Sequence, residues 1–262
     1  MQELQYEVIE RVAWLRLNRP EQKNAFTIKM IDEWVRWLEE ASTDDNVGAI
    51  VVTGNGDSFC AGGDLSLIKR VNSEGKGLGW KNLLWRHVHR IALTLEAIDK
   101  PVIAAVNGSA VGAGMDMALM CDMRFAAKSA QFSEGYIRIG AVPGDGGCFF
   151  LPRLVGVAKA LELLLSGDFI DANEAMRIGL VNRVHDDSEL IEATQAFAQQ
   201  IASNSPIASR LIKRATYQSM RMDLRASLDL VSSHMGIVQM TEDAAEALSA
   251  FQEKRKPRFR GR

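Results

Sequence analysis

Phe59-Cys60-Ala61-Gly62-Gly63-Asp64-Leu65 has a counterpart further along the chain, Asn107-Gly108-Ser109-Ala110-Val111-Gly112-Ala113-Gly114-Met115-Asp116. Each follows an apolar run that reads as a buried strand, residues 49–53 before the first and 102–106 before the second. Each then places small residues where backbone N–H groups can point at a ligand. Two such donors converging on one oxygen make an oxyanion hole, often the largest electrostatic contribution available to acyl chemistry. The first question is whether these glycines form a site or only turns.

Around this pair lies a chain of 262 residues, 47% hydrophobic and 24% charged, with a net charge of −2. That length is near the upper limit for one hydrophobic core, so one or two domains both fit. The apolar fraction supports a sizeable core and excludes disorder over most of the chain. The charge balance offers no field suited to nucleic acid or an anionic membrane. The exception is the basic tail Lys254-Arg255-Lys256-Pro257-Arg258-Phe259-Arg260-Gly261-Arg262. Cys60, Cys121 and Cys148 show no metal-ligand spacing and read as reduced thiols, which points to a cytoplasmic protein. Residues 1–6 lack the basic and apolar regions of a signal peptide. No uninterrupted apolar run approaches the roughly 20 residues of a spanning helix.

Residues 6–9 and 12–17 read as a hairpin turning at Glu10-Arg11, and Thr27 as the N-cap of an amphipathic helix to about residue 41. Residues 72–79 are polar and glycine-rich and read as a mobile loop, and 80–98 as one long helix. Pro101 holds Lys100 extended at the start of the 102–106 strand. A helix over 112–121, strands over 123–126 and 131–132, and a turn over 140–147 follow. From residue 157 the chain reads as helices: 157–165, 171–178, 188–203, 206–221, 224–240 and 242–254. The layout predicts an α/β superhelix of ββα turns over residues 1–200, closed by a helical region over 201–262. The Met-rich late helices (Met220, Met222, Met235, Met240) read as core or subunit interface.

Several motifs are excluded. Gly112-Ala113-Gly114 is no dinucleotide fingerprint, because Met117 stands where the third glycine is required. There is no phosphate-cradling P-loop, and neither Ser58 nor Ser109 lies in a G-x-S-x-G elbow. His87 and His89 fall on different helix faces, which argues against a shared metal, and His185 and His234 are isolated.

The chain resembles the crotonase superfamily, the enoyl-CoA hydratase/isomerase family, over nearly its full length. The resemblance rests on Leu17-Asn18-Arg19-Pro20, Lys23-Asn24-Ala25-Phe26, Ile50-Val51-Val52-Thr53-Gly54 and Phe59 to Leu65. It continues through Lys100-Pro101-Val102-Ile103-Ala104-Ala105-Val106-Asn107-Gly108, Pro143-Gly144-Asp145-Gly146-Gly147, Leu151-Pro152-Arg153 and Phe251-Gln252-Glu253-Lys254-Arg255-Lys256-Pro257. It implies a CoA thioester whose carbonyl oxygen sits between the N–H groups of Gly63 and Ala113. Gly63 has no side chain to crowd the thioester, and Ala113 lies in the first turn of a helix whose free amides and positive dipole end favour an enolate. It also implies CoA contacts at Lys23, Ala25, Ala61, Gly62, Asp64 and Leu65, with Asp64 ordering its turn and Lys254 and Lys256 near the CoA phosphates. Coenzyme A belongs to the substrate; no cofactor and no metal are expected. The family forms trimers or dimers of trimers, and the same is expected here.

The family's hydratases use two glutamates, and this chain departs from both. The first position matches Asp116, one methylene shorter; the bland alternative is an acid satisfying the helix dipole. The second matches Tyr136, which donates a proton but is a poor base at neutral pH. Glu134 could substitute only through a backbone shift. Asp145 lies in the Gly-rich turn beside the acyl pocket, with an N-cap of the following helix as its alternative role. In an apolar pocket its carboxyl would have a raised pKa. The leading expectation is hydration of a 2-enoyl-CoA, with Asp116 and Asp145 dividing the proton transfers. Double-bond or ring-type isomerisation by the same pair is the alternative. Aryl-CoA hydrolysis or dehalogenation with Asp145 as nucleophile, and a non-catalytic binding subunit, rank behind it.

Overall fold

The computed structural model describes residues 2–74 and 76–262. In chain order the first elements are β1 (Leu4–Ile9), β2 (Val12–Leu17), α1 (Ile28–Thr43), β3 (Ala49–Gly54), β4 (Ser58–Cys60), α2 (Leu65–Glu74), α3 (Lys76–Leu83) and α4 (His89–Ala97). Then come β5 (Val102–Val106), β6 (Ser109–Val111), α5 (Ala113–Leu119), β7 (Met123–Ala127), β8 (Gln131–Ser133), α6 (Gly147–Val155), α7 (Val157–Ser166) and β9 (Ile170–Asp171). The last are α8 (Ala172–Arg177), β10 (Arg183–His185), α9 (Leu190–Ala202), α10 (Pro206–Ser219), α11 (Leu224–Gln239) and α12 (Glu242–Gln252).

Two sheets organise the chain. The larger runs β1-β2-β3-β5-β7-β10, antiparallel only at the β1–β2 hairpin, and the smaller runs β4-β6-β8-β9. The chain steps from large sheet to small sheet at β3–β4, β5–β6 and β7–β8, which is the anticipated ββα spiral. The central strands β2, β3, β5 and β7 are buried on both faces, so their side chains alternate between two cores. Val12, Trp14, Val51, Ile103, Ala105 and Phe125 face α9 through Ala198 and Ala202. Leu15, Leu17, Ile50, Val52, Val102 and Ala104 face the other core, with Ile31, Trp34 and Leu38 of α1. Thr27 caps α1 by accepting from the Met30 amide at 3.1 Å.

Several expectations are corrected. Residues 72–79 are not a loop: α2 and α3 run over them, with Gly75 outside the described residues. Trp80 Nε1 donates to Asn72 Oδ1 at 2.7 Å, and Gly79 packs close to Val71, so helix–helix packing overrides the weak local propensity. The helix read over 80–98 begins at Lys76 and is broken by a π turn at Leu84–Val88. The short strands β4, β6, β9 and β10 carry too little periodicity to be read from sequence. Of the two readings of the late methionines, core or subunit interface, the core one does not hold: Met220, Met222, Met235 and Met240 are exposed in the single chain. Among the described residues no helix is long and apolar enough to cross a membrane, and no cluster of metal-ligating side chains occurs.

Candidate active site

The small sheet brings the two glycine segments together. β4 and β6 run parallel, so the segments that leave their ends emerge side by side. They also touch. A Cβ on Gly114 would lie 2.0 Å from Cys60 O, so only glycine lets the start of α5 seat against the end of β4. Gly112 N donates to Ser133 O at 2.7 Å, which ties the same helix start to β8.

One amide on each segment is left free by this lacing. Phe26 bridges the first segment by donating to Gly62 O at 2.8 Å and accepting from Asp64 N at 3.0 Å. The intervening Gly63 N–H faces away from that bridge and donates to nothing among the described residues. Ala113 is the first residue of α5, and its N–H likewise has no partner there. Gly62 adopts a φ of 93°, and a Cβ on it would stand 3.5 Å from Ala113 N, so the two segments approach at van der Waals range. The geometry suits one oxygen held by two amides.

The predicted loop contacts are laced to this frame. Ala61 N donates to Lys23 O at 3.0 Å, which brings the exposed Lys23 and half-buried Ala25 beside the glycines. Asp64 orders its turn as anticipated. It accepts from Ser66 N at 2.9 Å and pairs with Arg19 at 2.9 Å, and the Ser66 and Arg19 bonds hold its carboxyl below the usual range. Leu65 is exposed beside it. A groove lined by Thr27, Lys29, Asp64, Ser66 and Arg70 opens next to this turn and adds two cations the sequence reading passed over. The Lys254 amide bonds Phe251 O, and the tail folds along α12 through Arg255–Glu246; the expected role of Lys254 at the CoA phosphates involves a neighbouring subunit.

The acidic half of the site is more closely knit than the sequence indicated. Asp116 on α5 is fully buried and Asp145 is 5% exposed. Tyr136, on the 3-10 turn Gly135–Ile139, places its hydroxyl 2.7 Å from Asp116 Oδ2 and 2.9 Å from Asp145 Oδ2. Asp145 is not a helix cap. Gly146 holds that position without a side-chain cap, and the Asp145 carboxyl turns to the phenol instead. His89 Nε2 donates to Gly144 O at 2.7 Å and so fixes the loop that carries Asp145.

Glu134 is the residue the sequence reading undervalued. It is fully buried, with neither oxygen hydrogen-bonded, and no backbone shift is needed to bring it in. Its carboxyl and that of Asp116 meet over Gly147: a Cβ there would lie 2.6 Å from Asp116 Oδ1 and 2.9 Å from Glu134 Oε1. The one available signal was Gly146-Gly147, a pair that leaves room for carboxyls. Asp116 Oδ1 and Asp145 Oδ1 are also free of protein partners.

Burial governs the electrostatics. It raises Asp116 to about 7, with the Tyr136 hydrogen bond opposing and the Asp145 charge adding. It raises Glu134 to about 9, helped by the Asp116 charge. Asp145 is raised by burial too, but the Tyr136 bond and the charge of His89 pull it back. Tyr136 is driven well above 10 by burial and the two aspartates, so it stays a neutral phenol. The buried thiols of Cys60 and Cys121 are pushed up to about 12 by burial, which removes them as nucleophiles at neutral pH.

The chain is similar to known proteins over nearly its whole length. Residues 7–262 match the family described as enoyl-CoA hydratase/isomerase. The chain is 40% identical to the short-chain-enoyl-CoA hydratase of Clostridium acetobutylicum, over 94% of this chain and 93% of that protein. It is 38% identical to the crotonyl-CoA hydratase of Syntrophomonas wolfei, over 95% of both. The crystal structure of an enoyl-CoA hydratase from Bacillus anthracis superposes with a TM-score of 0.92 over the whole of both chains at 35% identity.

Proposed function

The chain belongs to the enoyl-CoA hydratase/isomerase family, and we propose that it adds water across the double bond of a 2-enoyl-CoA. The observation that carries this reading is that two free amides, on Gly63 and Ala113, adjoin two buried aspartates joined by one phenol. In this scheme the thioester carbonyl oxygen accepts from both amides, each worth about 3–4 kcal/mol once negative charge develops there.

The aspartates divide the proton transfers. Tyr136 has one proton for two carboxyls, so it donates to one and accepts from the other. Burial raises both carboxyls, Asp116 to about 7, and in this scheme Asp116 holds the shared proton while Asp145 acts as the base. Asp145 then takes a proton from water as the water oxygen bonds to the β-carbon. The double-bond electrons pass to the carbonyl oxygen as an enolate. The enolate collapses as Asp116 gives its proton to the α-carbon, one helical turn from the Ala113 amide. Coenzyme A enters as part of the substrate, and no separate cofactor takes part in the scheme.

Lys23, Ala25, Ala61, Gly62, Asp64 and Leu65 are assigned to the CoA chain, with Lys29 and Arg70 in the adjoining groove as phosphate partners. Ile212, Leu224, Leu228, Met235 and Leu248 leave an apolar surface on α10–α12 that supports a homotrimer or dimer of trimers, with Lys254 reaching the CoA of a neighbouring copy. The three free thiols fit a cytoplasmic setting.

Hydration of a panel of short, medium and ring-bearing 2-enoyl-CoA esters tests the reaction, and α-proton exchange of a saturated acyl-CoA in D2O tests the enolate. Absence of both overturns the reading.

A further inference from the structure

Glu134 is a fully buried acid of the site with no task in hydration as drawn. Its place is set by the small sheet. Gly112 N donates to Ser133 O at 2.7 Å, so the next residue is held beside the start of α5. Glu134 occupies the cap position of the turn Gly135–Ile139, yet its side chain makes no cap bond there. The carboxyl meets that of Asp116 where Gly147 has no side chain. A Cβ on Gly147 would lie 2.6 Å from Asp116 Oδ1 and 2.9 and 3.0 Å from the two Glu134 oxygens.

Asp116 Oδ1 and both Glu134 oxygens are buried, and as two carboxylates none of the three has a hydrogen-bond partner among the described residues. One proton between them makes a donor of one acid and an acceptor of the other. The surroundings keep that proton on Glu134. The charges acting on it are those of Asp116 and Asp145, both of one sign. Tyr136 is a neutral phenol, the thiols of Cys60 and Cys148 are raised, and His89 acts on Asp145.

We propose that Glu134 is a positioning residue for hydration: kept neutral, its carboxyl O–H donates a hydrogen bond to Asp116 Oδ1, which aims that acid and stabilises the anion it becomes. This rests on the reading of Asp116 as the acid that protonates the α-carbon. Asp116 is then held at both oxygens, Oδ1 by Glu134 and Oδ2 by the Tyr136 hydroxyl 2.7 Å away. As its proton leaves for the α-carbon, the O–H electron pair stays on the carboxylate. The bond from Glu134 becomes charge-assisted, roughly twice as strong as a neutral one. Burial by itself makes Asp116 reluctant to release a proton, and the Glu134 bond opposes that push. In a dry site Glu134 thus supplies the stabilisation that water gives elsewhere.

The test measures hydration of crotonyl-CoA by the full-length protein against pH. Glu134→Met keeps the bulk and removes the donor, whereas Glu134→Gln keeps an N–H donor. The methionine variant is expected to lower kcat by about tenfold or more with little change in KM. It is also expected to move the high-pH limb of kcat/KM upward by about one pH unit, because Asp116 then holds its proton more tightly. The glutamine variant is expected to recover most of the rate and to bring the limb back. A merely structural glutamate leaves the limb where it is. An unmoved limb in Glu134→Met, or a glutamine variant as impaired as the methionine one, overturns the proposal. A second reading needs only the wild type and Glu134→Gln. Their infrared difference spectrum at pH 8, between about 7 for Asp116 and about 9 for Glu134, is expected to show a protonated carboxyl. Its absence overturns the proposal whether or not Glu134→Met folds. Failure of the wild type to hydrate any enoyl-CoA overturns the reading of Asp116 beneath it, and the infrared band still decides the state of Glu134.

Discussion

Tyr136 Oη lies 2.7 Å from Asp116 Oδ2, and the neutral phenol that makes this contact has a second carboxylate, Asp145, 2.9 Å away on its other side. Two like charges across one hydroxyl would repel in a buried site, so the trio is stable when it holds one extra proton. An acid and a base then coexist at neutral pH in side chains of the same type. Family hydratases are expected to use two glutamates for these roles; in the proposed scheme a shorter acid, a phenol and a displaced acid share them.

Asp116→Asn and Asp145→Asn each remove one proton-transfer partner while keeping size and a hydrogen bond to Tyr136. Each is expected to lower kcat for hydration by about 10²- to 10⁴-fold with a small change in KM. Steady-state kinetics on crotonyl-CoA check this. Full turnover by Asp145→Asn would reject its role as base.

Ala113→Pro isolates the oxyanion amide. Proline is tolerated at the first position of a helix, where Ala113 sits, and its ring methylene replaces the N–H, so the donor is lost. The expected outcome is a folded protein by circular dichroism with kcat reduced by about 10²- to 10³-fold, whereas Ala113→Gly retains activity.

Gly147→Ala places a methyl 2.6 Å from Asp116 Oδ1 and 2.9 Å from Glu134 Oε1, closer than real contacts allow. The carboxyls must shift in a packed interior, so we expect a loss of about 1–3 kcal/mol in urea unfolding together with reduced kcat.

The buried acids also set the pH dependence of stability. Their native pKa values lie above the unfolded ones, so the native state binds more protons between the two, and stability falls as pH rises through that window. For Asp116 the window runs from 3.8 to about 7, and for Glu134 from 4.5 to about 9. Glu134→Gln removes one ionisation and keeps the shape. The variant is expected to gain on the wild type in unfolding free energy as pH is raised from 6 to 9. A constant difference between the two across that range would show that Glu134 is not held neutral.

Much of the large sheet and most helices could be read from local pattern. The strand Val102–Val106 and the Thr27 cap match the reading because each depends on neighbours in sequence: an apolar run bounded by Pro101, a hydroxyl before an amphipathic stretch. Residues 72–79 misled because their loop-like composition is overruled by Trp80 reaching Asn72 and by α2 packing on α3. The strands β4 and β6 are too short to show a period, yet with β8 they position the segments that carry Gly63, Ala113, Asp116 and Glu134.

The same division holds within the site. The free amides of Gly63 and Ala113, the proposed oxyanion donors, were recognisable in the chain because a free backbone donor is tied to small residues after a strand. The candidate acids were named there too, but not their partnership. Asp116, Glu134, Tyr136 and Asp145 come from a helix, a strand end, a 3-10 turn and a loop, and a hydrogen bond between side chains so placed has no local sequence signature. Glu134 enters because burial and the bare Cα of Gly147 bring its carboxyl against Asp116. The proposed position of the thioester oxygen follows from backbone chemistry written in order along the chain. Which carboxyl holds the proton follows from desolvation and mutual charge, and those exist only once the four side chains have been buried together.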